Sequence, residues 1–342
     1  MFLRNRWYAA AEAAELGPLP VGRIFLNEPV VLYRTPGGAP VALEDRCCHR
    51  RAPLSKGKVE GDRLRCGYHG FLYDASGSVV WVPGQDKVPP DARVRSYPVC
   101  EKNGFVWIWM GAKSLADPAK APAFTWNDDP AWASWTDYLP IKANYLYVVD
   151  NLMDLSHVPF LHIKTIGSAD DTEPTLKWER GPDWSRGTRA AYNLAPPLRW
   201  KMEGINHNID QMKVMTFTPP ANVLIDILTT DSGRKPGQTP LLEQRLIVLD
   251  SMTPETETSC HYFFGNCRNY KIDSMELTAM LHEQTVIAFN EDKDMLEAEQ
   301  RIIDLDPTAS QIDVMGDTGG LQSRRIVDRL LAEESGTRVA AE

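Results

Sequence analysis

Two short stretches constrain this chain more tightly than anything else in it. Cys47-Cys48-His49 is followed by sixteen residues and then by Cys66-Gly67-Tyr68-His69. Each stretch offers one thiolate and one imidazole, as Cys-x-His and Cys-x-x-His. Sulfur and imidazole donors at this spacing are metal-ligand chemistry. Four donors meet at one centre only if a rigid scaffold carries the two loops side by side. Short strands at 23–26, 30–33, 41–43, 79–82 and 105–109 surround them, separated by turn residues such as Pro36-Gly37-Gly38 and Ser76-Gly77. Many short strands with turns between them predict a small all-β sandwich or barrel.

Two centres suit those donors. A Rieske [2Fe–2S] cluster takes two Cys on one iron and two His on the other, and neutral imidazole raises its potential above that of an all-thiolate cluster. Gly67 and Gly70 would let backbone N–H groups approach the sulfides, a further lever on potential. The alternative is a Cys₂His₂ zinc site. Zinc ribbons usually pair Cys with Cys and His with His, and the alternating order here argues against that. Cys48 reads as a spare thiol rather than a ligand.

A Pro/Ala stretch at 116–122 reads as a domain boundary. The expected division is 1–118, all-β, and 119–342, α+β with an antiparallel sheet and helices. In the second part 142–158 and 275–304 read as helices and 214–265 as longer strands. Residues 150–162 run Asp-Asn-Leu-Met-Asp-Leu-Ser-His-Val-Pro-Phe-Leu-His. Asp154 and His157, three apart, would share a helix face. Pro159 should break or distort the helix and free His162 to swing back towards His157. Two imidazoles near a carboxylate suit a 2-His-1-carboxylate iron(II) site with open positions. The third ligand is sought in the later helix. There Asp292 falls in an apolar stripe with Ala288, Phe289, Met295 and Leu296, whereas Asp294 falls on a wetter face. A carboxylate facing inward is costly unless it is paired or bound to metal.

Composition narrows the function classes. With 37 Lys and Arg against 46 Asp and Glu the net charge is −9, and no long basic run occurs, so no nucleic-acid partner is expected. No stretch approaches the roughly 20 apolar residues of a membrane span, so no membrane is expected either. The opening Met1-Phe2-Leu3-Arg4-Asn5-Arg6-Trp7 lacks the apolar run of a secretion signal, which gives a cytoplasmic expectation. There the six cysteines (47, 48, 66, 100, 260 and 267) are ligands or core thiols rather than disulfides. Cys100, Cys260, Cys267, His261 and His282 are read as structural.

Together the motifs resemble the oxygenase component of Rieske non-haem iron oxygenases, over nearly the whole chain. The stretches carrying this are Asp45-Arg46-Cys47-Cys48-His49-Arg50-Arg51-Ala52-Pro53-Leu54, Cys66-Gly67-Tyr68-His69-Gly70, Asp150-Asn151-Leu152-Met153-Asp154 and the run Thr253-Pro254-Glu255-Thr256-Glu257-Thr258-Ser259-Cys260-His261-Tyr262-Phe263-Phe264. They look most like the branch holding vanillate O-demethylase, dicamba O-demethylase and toluenesulfonate methyl-monooxygenase. The resemblance implies an N-terminal all-β Rieske domain and a C-terminal α+β catalytic domain. It implies Cys47 and Cys66 on one cluster iron, His49 and His69 on the other, and His157, His162 and Asp292 on a mononuclear iron. Asp154 would be a bridging carboxylate taking hydrogen bonds from a cluster histidine and an iron-ligand histidine, across subunits of a homotrimer. Asn151 matches an Asn close to that iron. Electrons would come from NAD(P)H through a separate reductase or ferredoxin. Asp250 and Glu283 stand where the dicamba enzyme has His and Trp, which departs from a dicamba-like pocket.

The activity implied is oxidation or demethylation of a methyl or methoxy group on an aromatic acid with O₂. Its alternatives are a ring cis-dihydroxylating dioxygenase, a Rieske electron carrier and a zinc-binding interaction protein. Asn206, His207 and Asn208 are candidates for recognising an acid, although ordinary loop residues read the same way.

Overall fold

A computed structural model describes residues 1–163, 165–167, 175–196, 201, 204–233 and 242–339. The chain divides into two compact units, Met1–Phe124 with Thr253–Glu257, and Thr125–Met252 with Thr258–Glu342.

The first unit is all strand and turn. Its strands are β1 (Trp7–Glu12), β2 (Val21–Phe25), β3 (Glu28–Arg34), β4 (Pro40–Glu44), β5 (Lys58–Glu60), β6 (Arg63–Arg65), β7 (Leu72–Tyr73), β8 (Val79–Trp81), β9 (Ser96–Tyr97), β10 (Val99–Lys102) and β11 (Phe105–Trp109). They form three small sheets, ordered β1-β11-β10, β2-β3-β4-β9 and β5-β6-β7-β8. β1 escapes the sequence reading because its Ala9-Ala10-Ala11 centre has weak strand propensity. Its pairing with β11 supplies what the alanines lack, and Trp7 meets Trp109 at 5.5 Å. Residues 116–122 pack on this unit as well. Trp7 Nε1 donates to the Asp117 carbonyl (2.8 Å) and Lys102 Nζ to the Ala121 carbonyl (2.7 Å).

The second unit is built on one seven-stranded sheet. The elements are β12 (Ala133–Ile141), α1 (Tyr145–Met153), α2 (Val158–Leu161), β13 (Thr175–Arg180), β14 (Ser185–Leu194), β15 (Ile209–Thr218), β16 (Asn222–Asp231), β17 (Glu243–Thr256), β18 (Ser259–Arg268), α3 (Met275–Leu305) and α4 (Thr318–Val339). The sheet order is β12-β18-β17-β16-β15-β14-β13. α1 packs on α4, β15 and β16, while α3 packs on β12. Ser274 starts α3 by accepting the Leu277 N–H (3.2 Å). Leu277, Leu281, Thr285, Ala288, Phe289, Asp292, Leu296 and Gln300 then bury one face at helical spacing. Met295, expected in that stripe, lies at its edge and is 55% exposed.

Against the α3 side of the sheet lies a buried acid. Tyr262 donates to Asp250 Oδ1 (2.6 Å), and Oδ2 is buried with no partner among the described residues. Burial pushes the Asp250 carboxyl up to about 8, Tyr262 pulls it back, and the Asp292 charge adds to the rise. A folded pKa above the unfolded one means the native state keeps a proton that the unfolded chain has lost. Between roughly pH 4 and the folded value, stability therefore falls as pH rises, by up to about 1.4 kcal/mol per unit. Asp250→Asn removes that slope. Thermal melts should show the variant gaining on the wild type from pH 5 to pH 8; a difference independent of pH would refute a neutral Asp250.

Candidate metal centres

The two Cys/His stretches leave the small sheets as matching arms. In the first, Cys47 N–H donates to the Ala52 carbonyl (2.8 Å) and Arg51 N–H to the Cys47 carbonyl (2.9 Å). In the second, Cys66 N–H donates to the Phe71 carbonyl (2.8 Å) and Gly70 N–H to the Cys66 carbonyl (3.1 Å). The residue closing each loop has positive φ, 60° at Arg51 and 74° at Gly70. A Cβ at Gly67 would lie 2.4 Å from the Lys56 carbonyl oxygen, so that close approach requires glycine. Cys47 and Cys66 are each 2% exposed and share a hydrophobic cluster with Tyr33, Leu43, Leu54 and Tyr73. His49 and His69 are exposed, with ring centroids 4.6 Å apart.

Burial pushes the Cys66 thiol up, while the backbone N–H groups of Tyr68 and His69 favour its thiolate. Tyr73 donates to Cys47 Sγ (3.1 Å) and accepts the Cys48 N–H (3.1 Å). Buried sulfurs with N–H and O–H donors, beside exposed imidazoles, fit a cluster with one thiolate-held and one imidazole-held iron.

In the second unit the helix expected over 142–158 is interrupted. α1 ends at Met153, and Asp154 leaves the helical region (φ −120°, ψ 99°) to cap a one-turn 3₁₀ helix, Leu155–His157. Asp154 and His157 therefore do not share a helix face. Pro159 breaks nothing: it lies in the first turn of α2, where a missing N–H costs little. The break at Asp154 is what brings the two histidines round. Their rings lie 5.2 Å apart at 78°.

His157 Nδ1 donates to the Asp154 carbonyl (2.8 Å) and His162 Nδ1 to Glu291 Oε2 (2.8 Å). Both Nε2 atoms face Asp292 Oδ1, at 3.5 Å from His157 and 3.0 Å from His162. Asn151 Nδ2 also donates to Asp292 Oδ1 (3.0 Å). One ligand atom each from His157, His162 and Asp292 lies within 4.8 Å of the others. Burial lowers the His157 pKa against the pull of Asp292. At His162 burial acts the same way, but Asp292 and Glu291 outweigh it and lift the value. Two imidazoles with Nδ1 held by oxygen, plus one buried carboxylate, fit a divalent iron with positions left open.

The Asp154 carboxylate accepts the Ser156 N–H and hydroxyl, both at 2.9 Å. Its tie to His157 runs through the main-chain carbonyl, not through the carboxylate that the resemblance assigned to that bond.

A cavity opens beside these three side chains. His157, His162, Asp292 and Asn151 line it with Leu152, Leu155, Phe289 and the alternate, inward side chains of β15, β16 and β17. Residues 6–98 match the Rieske [2Fe-2S] domain model, and 141–333 match the vanillate O-demethylase oxygenase C-terminal domain. The iron–sulfur subunit of the toluene-4-sulfonate monooxygenase system of Comamonas testosteroni is 38% identical over 98% of this chain and 99% of its own. The vanillate O-demethylase oxygenase subunit of a Pseudomonas strain is 36% identical over 100% and 98%. The crystal structure of dicamba monooxygenase bound to 3,6-dichlorosalicylic acid superposes with a TM-score of 0.90, at 32% identity over 98% of this chain and 99% of that one.

The chain belongs to the Rieske oxygenase components of the vanillate O-demethylase family.

In this Rieske oxygenase component several pocket expectations are corrected. Asn206, His207 and Asn208 are exposed at the turn before β15, where His207 Nε2 pairs with Asp231 (3.1 Å) and Asn208 Nδ2 donates to Asn193 Oδ1 (3.0 Å). Glu283 is exposed on the outer face of α3, and Asp250 is sealed beneath Tyr262. His261 and His282 bond Tyr138 and Asp137, both at 2.8 Å, as structural residues do. None of the six cysteines forms a disulfide. Asp294 is exposed and Asp292 buried, as the stripe required.

Sequence reasoning missed Glu291. One helical step from Asp292, it still reaches back to His162, and Thr165 Oγ1 donates to the same Oε2 (3.3 Å). Partners of this kind fix a ligand's tautomer, and losing one costs roughly 10–100-fold in metal affinity. Glu291→Ala should weaken Fe(II) binding at this centre by about that factor in an anaerobic titration, while Glu291→Gln, which keeps an acceptor, should lose less. Equal affinity in both variants and wild type would remove Glu291 from the site.

Proposed function

We propose that this oxygenase component oxidises a methyl or methoxy group on an aromatic acid. Residues 1–118 hold the electron-storing cluster through Cys47, His49, Cys66 and His69. Residues 119–342 hold a mononuclear iron through His157, His162 and Asp292. The observation that carries the reading is the convergence of His157, His162 and Asp292 on one wall of an otherwise largely apolar cavity. When bound, the cluster and the iron supply single electrons from NAD(P)H, through a separate reductase or ferredoxin, and the activation of dioxygen.

The chain's own residues bind and orient. Asn151 holds Asp292, Glu291 holds His162, and the Asp154 carbonyl holds His157, so each ligand keeps one direction. Ile225, Ile227, Leu246 and Val248 give an aromatic ring an apolar bed and exclude water. Phe289 offers a ring face beside them. Lys213, on the same cavity wall, supplies a positive charge towards a carboxylate or sulfonate. A methoxy carbon oxidised there leaves as formaldehyde, and the ring keeps a phenol.

The active assembly in this reading is a closed homotrimer in which Asp154 of one chain bridges to His69 of its neighbour. Two features support it. His49 and His69 are exposed, and Asp154 is tied to His157 through its main-chain carbonyl while its carboxylate is held by Ser156 alone among the described residues. Asp154→Asn and His69→Ala protomers should each be inactive alone. Asp154→Asn should retain its iron and labile sulfide. Refolded or exchanged into mixed trimers, the two should regain part of the wild-type formaldehyde yield. No rescue, with sedimentation showing mixed trimers, would confine the relay to one chain.

A further inference from the structure

One polar pair inside the cavity has no role in holding a metal. Asn266 on β18 and Thr285 on α3 both line the cavity, and both are more than nine-tenths buried. Asn266 Nδ2 donates to Thr285 Oγ1 (2.9 Å). The other amide atom, Asn266 Oδ1, is buried and has no partner among the described residues. An acceptor left so costs free energy that a neighbouring apolar side chain would not, so a ligand atom is the natural donor to it.

Position sets what that ligand looks like. Thr285, Phe289 and Asp292 follow one another along the cavity face of α3. Seven residues at 1.5 Å separate Thr285 from Asp292, about 10 Å along the helix. Phe289 lies between them. A single ring lying over Phe289 fits between them, with one substituent reached from the Asp292 end and another from the Thr285 end. Lys213 stands on β15, three strands from β18, roughly 14 Å across the sheet at the usual strand spacing. The cation and the amide therefore meet different positions of the ring. Because the open amide atom is an acceptor, the substituent there carries a hydrogen: a hydroxyl, not a carboxylate.

Resting on the proposed function, we infer that Asn266 and Thr285 form a hydroxyl-recognising subsite, so that the favoured substrates are aromatic acids bearing a ring hydroxyl on the side away from the oxidised methyl or methoxy group. Asn266 accepts from that hydroxyl, and Thr285 fixes the amide. A substrate without the hydroxyl leaves the amide oxygen unpaired and binds more weakly, by roughly tenfold.

The test compares 3-hydroxy-5-methoxybenzoate with 3-methoxybenzoate on the iron-loaded protein. Calorimetry measures binding, and formaldehyde release with a surrogate reductase gives kcat/KM. The wild type should prefer the hydroxylated ring by about tenfold in both. Asn266→Leu should erase the preference, bringing the two rings to equal affinity and equal kcat/KM. Thr285→Val, which keeps the side-chain shape, should reduce the preference several-fold, and it carries the test if Asn266→Leu does not fold. A preference that survives in the folded variants, or is absent from a wild type that oxidises both rings, overturns the subsite and leaves the proposed function standing. A wild type that neither binds nor oxidises either ring overturns both.

Discussion

Asp292 is the interaction on which the second unit turns. It is a carboxylate only 7% exposed, set in the apolar stripe of a 31-residue helix. Such a charge is expensive unless its partners are complete. Its partners come from one short stretch, residues 151–162: Asn151, His157 and His162 each turn towards Oδ1. Asn151 donates to that oxygen, while the two imidazoles, their Nδ1 protons already given to the Asp154 carbonyl and Glu291, turn Nε2 lone pairs towards it, an arrangement that a divalent cation completes better than protons do. The segment of α1 and α2 is thus joined to α3 through the same three residues that are proposed to hold the iron.

The first unit solves the opposite problem. Its cysteines are part of the core, so the loops that carry them are fixed by the same packing that holds the small sheets together. The paired hydrogen bonds at Cys47 and Cys66 give the two arms one geometry from two unlike sequences. Glycine closes the second arm at positive φ, and Arg51 takes the same conformation in the first at some strain. Keeping sulfur inside and imidazole outside lets the core set the cluster's surroundings while its histidines stay in reach of a partner group.

How much of this was legible depended on whether function and folding asked for the same residue. Cys47, His49, Cys66 and His69 announce themselves by spacing, because metal geometry permits few alternatives. Asp292 was legible because it violates a helical pattern that is otherwise apolar. The strands around 214–265 and the helix from 275 followed from periodicity. What failed was local or distant in a specific way. The sequence points to Pro159 as the break, but proline suits a first turn; the chain turns at Asp154, whose side chain caps the next short helix, a local bond that periodicity cannot see. β1 and α4 were missed because neither carries a strong pattern of its own: β1 is alanine-rich, and α4 opens on Thr-Gly-Gly. At 206–208 the reading as ordinary loop residues holds and the one as acid-recognising residues does not, because the polar run belongs to the turn before β15 rather than to the cavity wall.

That last failure points to a better signal, which is the exception within a buried pattern. The stripe of α3 carries three polar residues, Thr285, Asp292 and Gln300, and each has a partner outside the helix. Gln300 accepts the Asn144 N–H (2.8 Å), at the cap that starts α1. Asp292 takes Asn151 and the two histidines, and Thr285 takes Asn266. The first joins helix to helix, the second gathers the two histidines, and the third faces the cavity beside an amide oxygen that has no partner among the described residues. In each case the sequence departs from apolar character at a buried position, and each departure is tolerable only because another group answers it. The apolar members of the stripe make the helix; its polar members say what the helix was placed there to touch.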